Sequence, residues 1–450
     1  MTGGGRAPRA YSSVAVHCAA GSDSLEASRF IERRPSIPFP PSVSSRVDAA
    51  APTTSRSPAA LAEALRRPGT VLLDTGRADA DTDTDRALLF SEPQRTLLAR
   101  CRAEVPGVLA AADEATAAGR FVAGVVRYEA GYAFEPALFP EQQQDDDAPL
   151  AWLGVYDAPR VLSPAAVADA LAQDAGPSPT VEDLRFDIAR AAYREAIAEV
   201  KAAICAGDVY QVNFTAPLRF RLAGDPLALY RRMRRRQPVP YGAFLNLGDD
   251  RRVLSCSPEL FFRRDGRRAW TRPMKGTVRR GDTPAEDRRL RRWLAADEKS
   301  RAENLMIVDL LRNDLSVCCE PGSVQVPELF SVEAYDTVSQ MTSAVEGRLK
   351  ENAAGLSELF RALFPCGSVT GAPKLRAMRR IRRLEQGPRG VYCGAVGFAG
   401  PEEAVFNVAI RTVELKGEQG RMGIGSGVVW DSEADAEYEE CLLKAHFLNS

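Results

Sequence analysis

Apolar residues first settle into a regular spacing near Pro58, and from there helical and strand-like periods mix to the end of the chain. Pro58 to Leu65 carries leucine and alanine at helical intervals, and Thr70 to Leu73 is a short strand-forming run. Ile188 to Ala206 keeps a helical period and stops at Gly207, which suits a C-cap; Val209 to Phe214 then reads as a strand. No βαβ unit repeats and no internal repeat is visible, so the pattern predicts an α+β fold rather than a doubly wound one.

Three regions follow from this pattern. Residues 1–57 are rich in Ala, Ser, Pro and Arg without sustained periodicity and read as a disordered tail. Their role stays open between a tail, a targeting segment and an over-extended gene start. Residues 58–180 form an N-terminal region expected to pack into the same unit as residues 181–450. Gln142 to Asp147 and Asp174 to Pro179 break the pattern as a solvated loop and a linker. The basic run Arg231 to Arg236 reads as a solvated helix face.

Composition narrows the chemistry. Lys and Arg number 59 against 60 Asp and Glu, a balance that argues against a broad nucleic-acid surface. The nine cysteines contain no CxxC pair and read as reduced thiols. No apolar run approaches the roughly 18 to 20 residues that span a bilayer, so the expectation is a soluble, cytoplasmic protein with no membrane partner. With only two histidines, His17 and His446, proton transfer falls to Lys, Glu, Asp or Tyr.

Candidate residues gather in a few segments. In Thr271-Arg272-Pro273-Met274-Lys275-Gly276-Thr277, a lysine sits between an apolar residue and a glycine. Partial desolvation there would favour a neutral amine nucleophile, although a lysine judged alone is better read as a surface residue. Asp431-Ser432 introduces a helix with Glu437, Glu440 and Lys444 on one face. A Glu440–Lys444 pair is worth roughly 0.2–0.5 kcal/mol, but Glu437 and Glu440 repel each other, a cost that a hard cation such as Mg²⁺ would relieve. Glu303 could add a further carboxylate. The glycines of Gly423-Ile424-Gly425-Ser426-Gly427 precede a strand-like run, whereas a dinucleotide fingerprint needs a helix. Ser368 to Lys374 lacks Walker A spacing, but Pro373 suits the first turn of a helix whose free N–H groups favour an anion.

Taken together these segments resemble the chorismate-utilising enzymes, and most closely the component I branch of aminodeoxychorismate synthase. The resemblance covers roughly residues 181 to 450 through Tyr210 to Asn213, Ser257 to Glu259, Pro273 to Thr277, Arg301 to Leu310, Ser368 to Lys374 and Glu437 to Lys444; a weaker likeness extends through Val126 to Tyr132. It implies a large sandwich of antiparallel sheets with helices outside, residues 181–450 being the chorismate-binding catalytic part. It implies Mg²⁺ at Glu303 and Glu440 with Glu437 close by, and a chorismate site lined by Arg411, Tyr392, Thr370, Gly425, Gly427 and Lys444. Lys275 would attack C2 of chorismate and expel the C4 hydroxyl, with Glu259 as the general acid; ammonia would enter at C4 and displace the lysine. The product would be 4-amino-4-deoxychorismate, which feeds 4-aminobenzoate and folate synthesis, and a glutamine amidotransferase subunit would supply the ammonia.

Departures from the family refine this expectation. Anthranilate synthases usually have alanine where this chain has Lys275, and the water-using branches have a base lysine where it has Gln211. Many relatives carry histidine where Gln340 stands, and the tryptophan-binding Leu-Leu-Glu-Ser motif is matched only loosely by Leu72 to Thr75. Anthranilate synthase component I and a chorismate-binding regulatory subunit without turnover are the competing readings.

Overall fold

Alternate residues of single strands serve two different cores, which is why so many strands are apolar on both faces. The computed structural model describes residues 58–76, 86–140, 147–173, 176–335 and 338–449; the region 1–57 and most of Gln142 to Asp147 lie outside them. Val71, Leu88, Phe90, Ala243, Leu245 and Val253 from one sheet meet Ala123, Val125, Trp152, Val396 and Phe398 from another in one cluster. Their chain neighbours Leu72, Leu89, Phe244, Leu254, Val122, Val126 and Ala395 join a larger cluster shared with the helices. The sheets therefore pack face to face, with helices covering outer faces.

Each sheet has ten strands among the described residues. The first runs Gly371–Ala372, Gln211–Ala223, Gln419–Val428, Thr412–Lys416, Arg251–Ser257, Tyr241–Gly248, Thr70–Asp74, Ala87–Phe90 and Arg160–Leu162, with Thr180–Phe186 beside Gln211–Ala223. The second runs Met274–Arg279, Val338–Arg348, Arg268–Arg272, Leu260–Asp265, Glu403–Val408, Ala395–Ala399, Phe121–Val126, Ala151–Tyr156 and Arg95–Ala99, with Gln325–Ala334 beside Val338–Arg348. The α+β architecture agrees with the sequence pattern, and the antiparallel sheets agree with what the family resemblance implies. Strands from before residue 180 sit inside both sheets, Thr70–Asp74 against Tyr241–Gly248 and Phe121–Val126 against Ala395–Ala399.

Two helices frame the site. Glu298–Cys318 begins at Asp297, whose carboxylate accepts from the Ser300 N–H at 2.8 Å, and buries Asn304, Ile307, Val308, Leu311 and Leu315 at helical spacing. Ala434–Asn449 packs on Gln419–Val428 and on the helix Arg190–Cys205. No described helix is long and apolar enough to cross a membrane.

Two expectations change. The strand begun near Val209 runs on to Ala223, because Leu218, Phe220 and Leu222 continue its buried face past Pro217. The basic run is not simply solvated. Arg231 donates to Leu171 O at 3.2 Å, Arg232 to Pro179 O at 2.8 Å and Leu448 O at 2.9 Å, and Arg234 pairs with the buried Asp74. Long guanidinium side chains reach carbonyls at chain crossings that would otherwise lack donors.

Asp113 caps the helix Leu356–Leu363 from outside, accepting from Leu356 N at 2.5 Å and Ser357 N at 3.1 Å. Asp113→Ala should lower unfolding stability by about 1 kcal/mol, and Asp113→Asn by less, in urea denaturation.

Candidate functional site

A glycine-bare face of the strand Gln419–Val428 forms the floor of the site. Gly423, Gly425 and Gly427 are two residues apart and share one side. A Cβ at Gly427 would lie 2.6 Å from Gln211 Nε2 and 3.4 Å from Lys275 Nζ, and one at Gly423 would lie 2.0 Å from the Tyr392 ring. Side chains on this face would displace Lys275 and Gln211 at one end and Tyr392 at the other.

Lys275 reaches the floor from the strand Met274–Arg279, whose pairing with Val338–Arg348 slips between Met274 and Thr277. Gly276 takes φ +82° in that slip, and a Cβ there would lie 2.7 Å from Ser300 Cβ at the start of the helix Glu298–Cys318. Lys275 Nζ donates to Ser368 O over a long 3.4 Å. Glu259 stands nearby with 4% of its surface exposed, and its Oε1 is buried without a hydrogen-bond partner among the described residues. Burial pushes its carboxyl up to about 7, against the opposing pull of the Ser368 hydroxyl, the Lys275 charge and the Met274 backbone. Cys366 and Cys393 also face Glu259, and burial pushes both thiols up to about 12, so they remain neutral.

A carboxylate group borders the same lysine. Burial raises the Glu303 pKa, Lys275 and Lys299 pull it down, and Glu437 and Glu440 push it up. A part-buried carboxylate raised by two neighbouring carboxylate charges belongs to a donor set suited to a hard divalent cation. Among the described residues, however, no three such side chains close around a common point. Glu440 is instead 2.7 Å from Lys444 Nζ, which also donates to Gly425 O at 2.9 Å.

The remaining candidates play different parts. The Thr370 hydroxyl is directed at the carbonyls of Cys366 and Gly367, and its own carbonyl accepts from Asn213 N at 2.8 Å, so this side chain shapes the loop. Arg411 has φ +50°, and burial lowers its pKa; its guanidinium has no carboxylate partner among the described residues, and it makes no hydrogen bond to the other candidates. Gln340 lies opposite Thr277 and donates to its hydroxyl at 3.5 Å. His446 is in the terminal helix, but its side chain is outside the described residues. Asp74, in the loosely matched Leu72 to Thr75 segment, lines a separate cavity of about 90 Å³ and is bonded by Tyr230 and Arg234.

Gln211 was noted in the sequence only as the replacement of a lysine. Both of its amide atoms are buried and without a hydrogen-bond partner among the described residues, beside Lys275, and such atoms call for a ligand. Ser368, whose carbonyl accepts from Lys275 and whose hydroxyl lies 3.3 Å from Cys366 Sγ, enters the sequence reading only as the first residue of the segment that ends at Lys374.

A family profile described as chorismate binding enzyme matches residues 74–450. The chain belongs to this family. It is 49% identical over 258 residues to aminodeoxychorismate synthase of Streptomyces pristinaespiralis, across 56% of this chain and 35% of that protein. It is 43% identical over 260 residues to anthranilate synthase component 1 of Streptomyces coelicolor, across 58% and 51% of the two chains. The chain thus spans about a third to a half of the length of these relatives. The solved anthranilate synthase component I from Streptococcus pneumoniae TIGR4 shares the fold with a TM-score of 0.69 at 26% identity, covering 83% of this chain and 94% of that one.

Glu259 gives a direct test. An acid whose pKa is near 4.5 unfolded and about 7 folded adds nothing against stability while both states are protonated. As pH rises between those values the unfolded state loses its proton first, and stability falls. Glu259→Gln should therefore match the native chain at pH 4 and be more stable by roughly 3 kcal/mol at pH 8 in denaturant titrations.

Proposed function

We propose that the chain is a component I enzyme that aminates chorismate to 4-amino-4-deoxychorismate, with ammonia supplied by a glutamine amidotransferase subunit. The observation that carries this reading is the lysine amine over the bare Gly427 face with a buried acid of pKa about 7 beside it. Lys275 Nζ forms a bond to C2, the ring double bonds shift, and the C4–O bond breaks. Glu259 gives its proton to the departing hydroxyl, which leaves as water. Ammonia then bonds to C4, the C2–N bond breaks, and the lysine amine returns. The protons released from the attacking nitrogens restore Glu259.

Substrate charge accounts for the other residues. The half-buried Arg411 guanidinium offers a bidentate partner to one carboxylate, and Lys444 adds a second cation near the glycine floor. Glu303 and Glu440, with Glu437 close by, would hold Mg²⁺ once Glu440 exchanges Lys444 for the cation. Bound there, the metal would neutralise carboxylate charge on the substrate. The resemblance to enzymes with lysine rather than alanine at position 275 supports amination at C4 over anthranilate formation. The 43% identity to an anthranilate synthase component 1 keeps that activity as the rival outcome.

Purified chain with chorismate, ammonium and Mg²⁺ should yield 4-amino-4-deoxychorismate; fluorescent anthranilate as the main product, or unchanged chorismate, would overturn the assignment. Lys275→Ala should lower product formation at least ~10³-fold while chorismate binding, read by calorimetry, stays largely intact. Glu303→Gln should lose calorimetric Mg²⁺ binding by the chelator-treated chain.

A further inference from the structure

Arg389 lies behind the site in a segment, Leu384 to Gly390, that carries none of the candidate residues. Its side chain is 2% exposed, and its ion-pair partner Glu385 is 6% exposed at 2.7 Å. The guanidinium does more than neutralise that carboxylate. One terminal nitrogen donates to Val369 O at 2.8 Å, the other donates to Asn213 O at 2.6 Å as well as to Glu385, and Nε donates to Glu385 at 2.9 Å. The Tyr128 ring lies 4.5 Å below the guanidinium.

The groups around this fork are tied to the same two backbone segments. Glu385 accepts from the Thr215 N–H at 2.9 Å and from the Thr215 hydroxyl at 3.0 Å. The Asn213 amide donates to Val369 O at 3.1 Å, and its N–H donates to Thr370 O at 2.8 Å. Glu129 accepts from the N–H groups of Arg389 and Gly390 at 2.6 and 3.1 Å, which holds the base of the arginine in place. A single planar cation therefore joins the strand Gln211–Ala223 to the loop that contains Ser368.

We propose that Arg389 is a positioning residue for the amination: by holding the Val369 and Asn213 carbonyls, it fixes where Ser368 presents its carbonyl to Lys275, beside Glu259. This rests on the roles assigned to Lys275 and Glu259 above. Arg389 itself touches no reacting group. Its effect falls on the alignment of nucleophile and acid, so it belongs to the chemical step rather than to substrate affinity.

Removing only the arginine would strand a buried carboxylate and threaten folding. The Arg389→Met, Glu385→Gln double variant removes both charges together. It should keep the native circular dichroism and a KM for chorismate within ~3-fold, while kcat for ammonium-dependent chorismate consumption falls ~100-fold. Arg389→Lys, which keeps the charge and part of the donor set, should recover part of that loss. A second route uses the cavity of about 160 Å³ lined by Glu385, Arg389 and Tyr392. Through it, methylguanidinium should restore kcat to Arg389→Ala but not to Lys275→Ala. A folded double variant with native kcat, a loss confined to KM, or no methylguanidinium rescue of an Arg389→Ala chain with native circular dichroism would overturn the positioning role. Failure of the native chain to consume chorismate would instead overturn the assigned reaction.

Discussion

Antiparallel pairing between Gln211–Ala223 and Gln419–Val428 runs without a slip from Arg221 opposite Gln419 to Val212 opposite Val428, and the site would not exist without it. It places Asn213 across from Gly427 and Thr215 across from Gly425. A shift of one residue would turn the glycine face away from Lys275. The same strand takes Gly371–Ala372 along its other edge, so the loop before that short strand is docked by the ladder that presents the glycines. Lys444, bonded to Gly425 O, adds the terminal helix to this frame.

Buried charge is used in two ways on either side of the ladder. In the Arg389–Glu385 pair all three guanidinium nitrogens donate to named partners, and the pair holds backbone. Among the described residues Arg411 has no carboxylate partner and the Gln211 amide no hydrogen bond, and burial pushes the Glu259 carboxyl up to about 7. Filled groups stabilise a shape, while unfilled ones carry a desolvation cost that an incoming anion can offset. The separation explains how a site so rich in titratable groups stays open to substrate.

Part of this site had local cues in the sequence, although Lys275 judged alone reads as a surface residue and the roles come from the family resemblance. Lys275 between Pro273 and Gly276, the glycines ahead of a strand, and the carboxylates on one helical face each carry a local signature, and the structure sets them around one floor. Other parts have no local signature. Glu385 and Arg389, four residues apart across a Gly-Pro turn, look like an exposed pair until Val369 and Asn213 are brought to them from elsewhere in the chain. The arginines of the run 231 to 236 look solvated because the carbonyls of Leu171, Pro179 and Leu448 are distant in sequence. Periodicity identifies Thr70 to Leu73 as a strand but cannot name Tyr241–Gly248 as its neighbour. Local pattern reports what a segment is, whereas partners depend on topology.

The interleaved sheets also bear on how the chain is made. Phe121–Val126 lies in the interior of its sheet, yet one of its two neighbours, Ala395–Ala399, is translated about 270 residues later. At roughly 5–20 residues per second, the strand waits on the order of 15–50 s with one apolar edge unpaired. During synthesis Ala151–Tyr156 can cover only the other edge. The architecture that draws distant segments to one floor therefore exposes a nascent chain to misassociation, and its yield in a cell is tied to whatever shields that edge until the ribosome has finished.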